Sequence, residues 1–154
     1  IKHPELYERV LSNLKLTGLN IQVKHNFLYS GLSDYAALSG FEPKLWAYGI
    51  SVSGLRLSDD EYHKDSYISL ARSSDYHEKM LSNESRSTLK SILDKNIFLK
   101  NLYHLAMAYS EKTEGIFGYL IAPSNIKQMD DIFHFLKHVP MEEVNLDDLL
   151  FLQT

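Results

Sequence analysis

The chain contains no cysteine. Disulfides, thiolate metal sites, cysteine nucleophiles and flavin–cysteine adducts are therefore all excluded. It also lacks a cluster of basic residues: 154 residues carry 16 Lys and Arg against 20 Asp and Glu, a net charge of −4. Phosphate contacts draw on clustered Lys and Arg, so no direct nucleic-acid contact is expected. No apolar run approaches the roughly 20 residues that cross a bilayer, and no signal-peptide pattern opens the chain. No membrane partner is expected, and a cytoplasmic location is the default. Gly-rich phosphate loops, a Ser–His–Asp order, paired catalytic carboxylates, internal repeats and low-complexity linkers are missing as well. The chain opens on Ile1 rather than Met, as expected of a piece of a longer protein.

What is present is the composition of one ordinary globular domain spanning 1–154, with 44% apolar and 23% charged residues. Residues 4–14 predict an amphipathic helix, with Pro4 in its first turn and a stripe of Leu6, Tyr7, Val10, Leu11 and Leu14. Leu19, Ile21 and Val23 alternate with polar residues, His25-Asn26 suits a turn, and "FLYS" follows, so a hairpin is expected. "LSDYAALSGF" predicts a short helix between a Ser33 or Asp34 cap and Gly40. Ser58 and the acidic Asp59, Asp60 and Glu61 open a long helical pattern, with Tyr62, Tyr67, Ile68, Leu70 and Ala71 as its buried positions. "STLKSIL", "IFLKNLYHLAMAYS" and "IFGYLIA" then read as three strands. Residues 125–138 are amphipathic again, with Ile126, Met129, Ile132, Phe133, Leu136 and Val139 along one side. Five strands with helices grouped between the second and third make an α+β layout.

Two stretches resemble the PAS domain family of sensor modules. Tyr35, Leu38, Gly40 and Phe41 supply its aromatic, two residues, Leu, one residue, Gly, aromatic pattern. The run Asn101, Leu102, Tyr103, His104 and Leu105, followed by Ile116 and Gly118, is similar to the last two strands of the light-sensing LOV branch. The likeness spans about 19–122, flanked by the helices at 4–14 and 125–138, and extends to sensors preceding helix-turn-helix output domains in bacterial regulators. It departs at two points: the photochemical Cys is absent, and Leu120 stands where flavin binders carry Gln.

The resemblance implies a five-stranded antiparallel sheet with short helices on one face and the N- and C-terminal amphipathic helices on the other. Its hollow side would hold a small apolar or aromatic ligand, with Tyr29, Asn101, Tyr103, Leu105, Gly118 and Leu120 as the ligand-binding residues. Phe117, Tyr119 and Ile121 would point to the back, covered by terminal helices in a homodimer. The implied function is a non-enzymatic, small-molecule-sensing regulatory domain of a cytoplasmic signalling or transcription regulator, passing ligand state to an output domain. Two alternatives are a ligand-free dimerisation module and a small α+β isomerase or dehydratase using Tyr or His as acid and base.

Metal and cofactor candidates are few. His63 and His77 lie where haem-binding PAS proteins place an axial ligand, but on a polar helix beside Asp65 and Glu78 they read as solvated, and haem is not expected. His134 and His138 have the i, i+4 spacing of metal ligands, with only Glu142 or Glu143 as a further donor, and read as an exposed polar face. Neither "SDDE" nor "LDD" has the pattern of a calcium loop.

Overall fold

The computed structural model describes residues 3–57 and 82–152. The helical pattern expected from Ser58, with His63 and His77, lies outside the described residues. The fold is α+β, built on a four-stranded mixed sheet of β1 (Asn20–Asn26), β2 (Tyr29–Ser30), β3 (Lys44–Tyr48) and β4 (Ile116–Tyr119) in the order β2-β1-β3-β4. Only β2 runs antiparallel to its neighbour; β1, β3 and β4 are parallel. Four α-helices among the described residues accompany it: α1 (Pro4–Leu14), α2 (Asn83–Lys95), α3 (Leu102–Lys112) and α4 (Ile126–His138).

The expected five-stranded antiparallel sheet is therefore corrected at two segments. "STLKSIL" lies in α2, and most of "IFLKNLYHLAMAYS" forms α3. Each has its own helix signal. Ser82 caps α2 by accepting a hydrogen bond from the Ser85 amide at 3.0 Å, and Leu89 and Ile92 are three apart on the buried side. Asn101 caps α3 in the same way, accepting from the His104 amide at 2.9 Å. Leu, Ala and Met, strong helix formers, supply five of the eleven residues that follow. Helix α3 is buried nearly all round: Leu102, His104, Leu105, Ala106, Met107, Ala108 and Ser110 are all inside. A helix covered on every side shows no clean 3.6-residue period, which is why its sequence reads as an apolar strand.

Several expectations based on local patterns hold: helices at 4–14 and 126–138, strand pairing around 20–30 and a strand inside 114–122 are present. The hairpin turn, however, falls at Phe27 and Leu28, with His25 and Asn26 inside β1, and Leu32–Phe41 is a 3-10 helix that starts from Gly31 rather than from a Ser33 or Asp34 cap. Capping explains the α4 start: the Gln128 amide donates to Asn125 at 2.9 Å, while the Gln128 side chain reaches back to the Ser124 amide at 2.7 Å.

The core lies between one face of the sheet and α2, α3 and α4. Ala47 of β3 joins Leu89, Ile92, Leu105, Met107, Ile132 and Phe135 from the helices in one cluster, all essentially without solvent. The tail is tied to α2 by Asn96. Its side chain donates to the Asn145 carbonyl at 3.0 Å and accepts from the Asn145 amide at 2.9 Å.

The other face of the sheet carries exposed side chains. Register places Asn20, Gln22 and Lys24 of β1 beside Lys44, Trp46 and Tyr48 of β3. An irregularity between Leu45 and Trp46 interrupts the alternation along β4. Ile116 and Tyr119 pack toward the core, Gly118 lies against the Trp46 ring, and Phe117 meets the Trp46 edge. Phe117 and Tyr119 thus do not share the single helix-covered back expected from strict alternation: Phe117 is 56% exposed.

Candidate functional site

The six residues expected to bind ligand do not converge on one cavity. Asn101 is the α3 cap, and Leu105 sits fully buried in the core. Tyr103 is half-buried on α3. Its hydroxyl has no hydrogen-bond partner among the described residues; burial pushes the phenol up, opposed by the nearby Ala122 amide. Gly118 is occupied by the Trp46 indole: a Cβ there would stand 2.7 Å from a ring carbon. Tyr29 and Leu120 are exposed, Tyr29 under the Lys24 ammonium at 5.4 Å. The pair expected to orient a ligand, Asn101 and Tyr103, are on a helix rather than a strand.

Two buried histidines tie elements together, His25, expected in a turn, and His104, expected in a strand-like run. His25 on β1 is 1% exposed and stacks on Tyr109, with centroids 5.1 Å apart. Its Nε2 lies 3.2 Å from Thr113 Oγ1 and its Nδ1 3.0 Å from Ser30 Oγ. The Thr113 hydroxyl donates its proton to the Tyr109 carbonyl at 2.7 Å, so it accepts from His25, which carries its proton on Nε2. The Ser30 hydroxyl then donates to Nδ1. Burial lowers the His25 pKa, consistent with this neutral form.

His104 is equally enclosed. Its Nε2 is 2.8 Å from the Asp131 carboxylate on α4, and the Lys100 amide donates to Nδ1 at 3.4 Å. The ring also packs on Phe135 at 4.4 Å. Each histidine has both nitrogens engaged by protein groups, which suits fastening of strands and helices more than proton transfer to a substrate.

A cleft of about 510 Å³ opens between the end of α3 and the C-terminal 3-10 segments, lined by Tyr109, Lys112, Thr113, Glu142, Asn145 and Asp147 among others. The Lys112 ammonium donates to the Val144 carbonyl across it. Its volume is within the range of small-molecule sites, and Val144, Leu146 and Leu149 line it beside the polar groups. His134 and His138 do lie together on α4, centroids 4.6 Å apart, yet no group of three possible metal ligands occurs among the described residues.

Two helices carry exposed apolar stripes. On α1, Leu6, Tyr7, Val10 and Leu14 are 45–61% exposed, and only Leu11 of the stripe is buried. On α4, Ile132 and Phe135 enter the core while Ile126, Met129, Phe133 and Leu136 remain outside. The pattern that made these helices legible is thus only partly consumed by the fold. No helix among the described residues is long and apolar enough to cross a membrane. No family model, curated protein or solved structure matches the chain.

Proposed function

We propose that this chain is a non-enzymatic assembly module that pairs with a second copy of itself through the apolar stripes of α1 and α4. The observation that carries this reading is the pair of half-covered helices at opposite ends of the described chain. Eight large side chains, leaving about 100 Å² each outside, reach roughly the 800 Å² per partner of a standard interface. Either stripe alone falls short. A two-fold arrangement in which α1 of one copy meets α4 of the other covers both stripes with one symmetry operation. The regulatory setting expected from the PAS resemblance, a cytoplasmic signalling protein, fits a module of this kind.

Light scattering tests it. The wild-type chain is expected to be dimeric at about 10–100 µM, a concentration range set by ordinary micromolar affinity. Phe133→Asp or Val10→Asp, both at exposed positions, is expected to give a folded monomer. A monomeric wild type across that range overturns the proposal.

A second reading is favoured by the cleft beside α3. A sensing role would use a ligand with both polar and apolar groups, held near Lys112, Val144, Asn145 and Asp147, in place of the apolar ligand expected on the sheet. Thermal stabilisation by such metabolites, lost in Lys112→Ala, is the check on it.

A further inference from the structure

We propose that the open face of the sheet is a stacking platform for single-stranded nucleic acid. Parallel strands are ordinarily covered on both faces. Here one face of β1, β3 and β4 packs on helices, and the other presents rings. Trp46, Tyr48, Phe117 and Tyr29 lie on it, the last three 42–56% exposed.

The rings are held in place. The Trp46 indole lies against Gly118, its ring carbons where any side chain at that position would be, and its Nε1 donates to Asn20 Oδ1 at 3.0 Å. Phe117 stands edge-on to it, centroids 5.2 Å apart and planes at 64°. A fixed aromatic surface gives bases a place to stack without ordering cost at the moment of binding.

Charge selects the partner. Both charged side chains that β1 and β3 place on this face are lysines. Lys44 lies 4.6 Å from the Phe117 centroid and Lys24 lies 5.4 Å from that of Tyr29. The chain as a whole is acidic at −4, so strands that place only cations on this face depart from the average. Net charge in the sequence speaks against a phosphate-binding surface because it sums over all faces; the sheet sorts two lysines onto this one. Rings interleaved with ammonium groups match bases interleaved with phosphates, and the polar Asn20 and Gln22 beside them can meet base edges. Duplex DNA, its bases already stacked, offers such a face only its phosphates.

Trp46 is the single tryptophan, so its fluorescence reports this face directly. The full chain would be titrated with a deoxythymidine oligonucleotide of about 12 residues, within the site sizes of single-strand binders. Saturable quenching is expected, weakening with salt at a slope near −1.4 in log K against log salt for two phosphate contacts. Phe117→Ala, at an exposed position, should weaken binding about tenfold or more by removing one stacking ring. Lys44→Gln should reduce the slope by about 0.7. Absence of quenching at millimolar oligonucleotide overturns the proposal. So does equal affinity for a duplex of the same length, or for thymidine monophosphate alone.

Discussion

Replacing Gly118 with alanine tests whether the Trp46 indole is seated on β4 as described. The added Cβ would stand 2.7 Å from Trp46 Cζ3 and 3.0 Å from Cε3. Carbon atoms rest at about 3.5–4.0 Å, so the ring must withdraw by about 1 Å or the strand must yield. The indole is not free to swing, since Nε1 is hydrogen-bonded to Asn20 and Phe117 abuts its edge. Withdrawal would forfeit a hydrogen bond of about 1 kcal/mol and part of an aromatic pair worth about 0.5–1.5 kcal/mol. The lower unfolded-state entropy of alanine returns about 0.4–1 kcal/mol. The net expectation is a loss of about 1 kcal/mol, read as a fall in urea midpoint of roughly 0.5 M. The emission of Trp46 should change in the folded state as well. Gly40→Ala is the matched control: nothing lies within 4 Å of a Cβ at that position, so stability should change by less than about 0.5 kcal/mol. If Gly118→Ala behaves like Gly40→Ala in both midpoint and emission, the seating of Trp46 on β4 is refuted.

Further outcomes follow from the buried groups. His25 has a folded pKa below its ordinary 6.5 because it is buried, so the unfolded chain takes up a proton first as pH falls. Its contribution is flat above about 6.5 and stability then declines toward the lowered folded value; pH-dependent urea melts should show this slope, and His25→Gln should lack it. Tyr119 is pushed up to about 12 by burial and by the Glu111 carboxylate beside it. The folded chain should thus lose stability as pH rises from about 10 toward 12, a loss absent in Tyr119→Phe. Asn101→Ala should cost about 1 kcal/mol through loss of the α3 cap while Asn101→Asp retains it, a contrast measurable by thermal melting. Leu105→Ala, at a fully buried position, should cost about 2–5 kcal/mol.

The elements legible from sequence share one property: their environment is uneven. Helices α1 and α4 each have a wet side, so an apolar stripe stands out against polar residues. The β1 segment has one face in the core and one outside, so Ile21 and Val23 alternate with Asn20, Gln22 and Lys24. Helix α3 has no such contrast, and a short apolar run cannot declare its period from apolarity alone. Its cap was present in the text as Asn101, which the resemblance to the PAS family assigned to a ligand-facing strand instead. With α3 misread, residues expected to share a hollow were scattered: Leu105 to the core, Leu120 to the surface and Gly118 beneath a ring.

Sequence by itself determined the absence of thiol chemistry, the α+β content, the ends of two amphipathic helices and the presence of more apolar helix surface than one core absorbs. These depend on residue identity and on neighbours within a few positions along the chain. Tertiary structure alone decided that β1, β3 and β4 run parallel, that His25 and His104 are fasteners, and that lysines and aromatic rings gather on one exposed face. Those features join residues as far apart as Asn20 and Phe117. Only the folded backbone, by fixing register between strands, brings such residues within reach of one another.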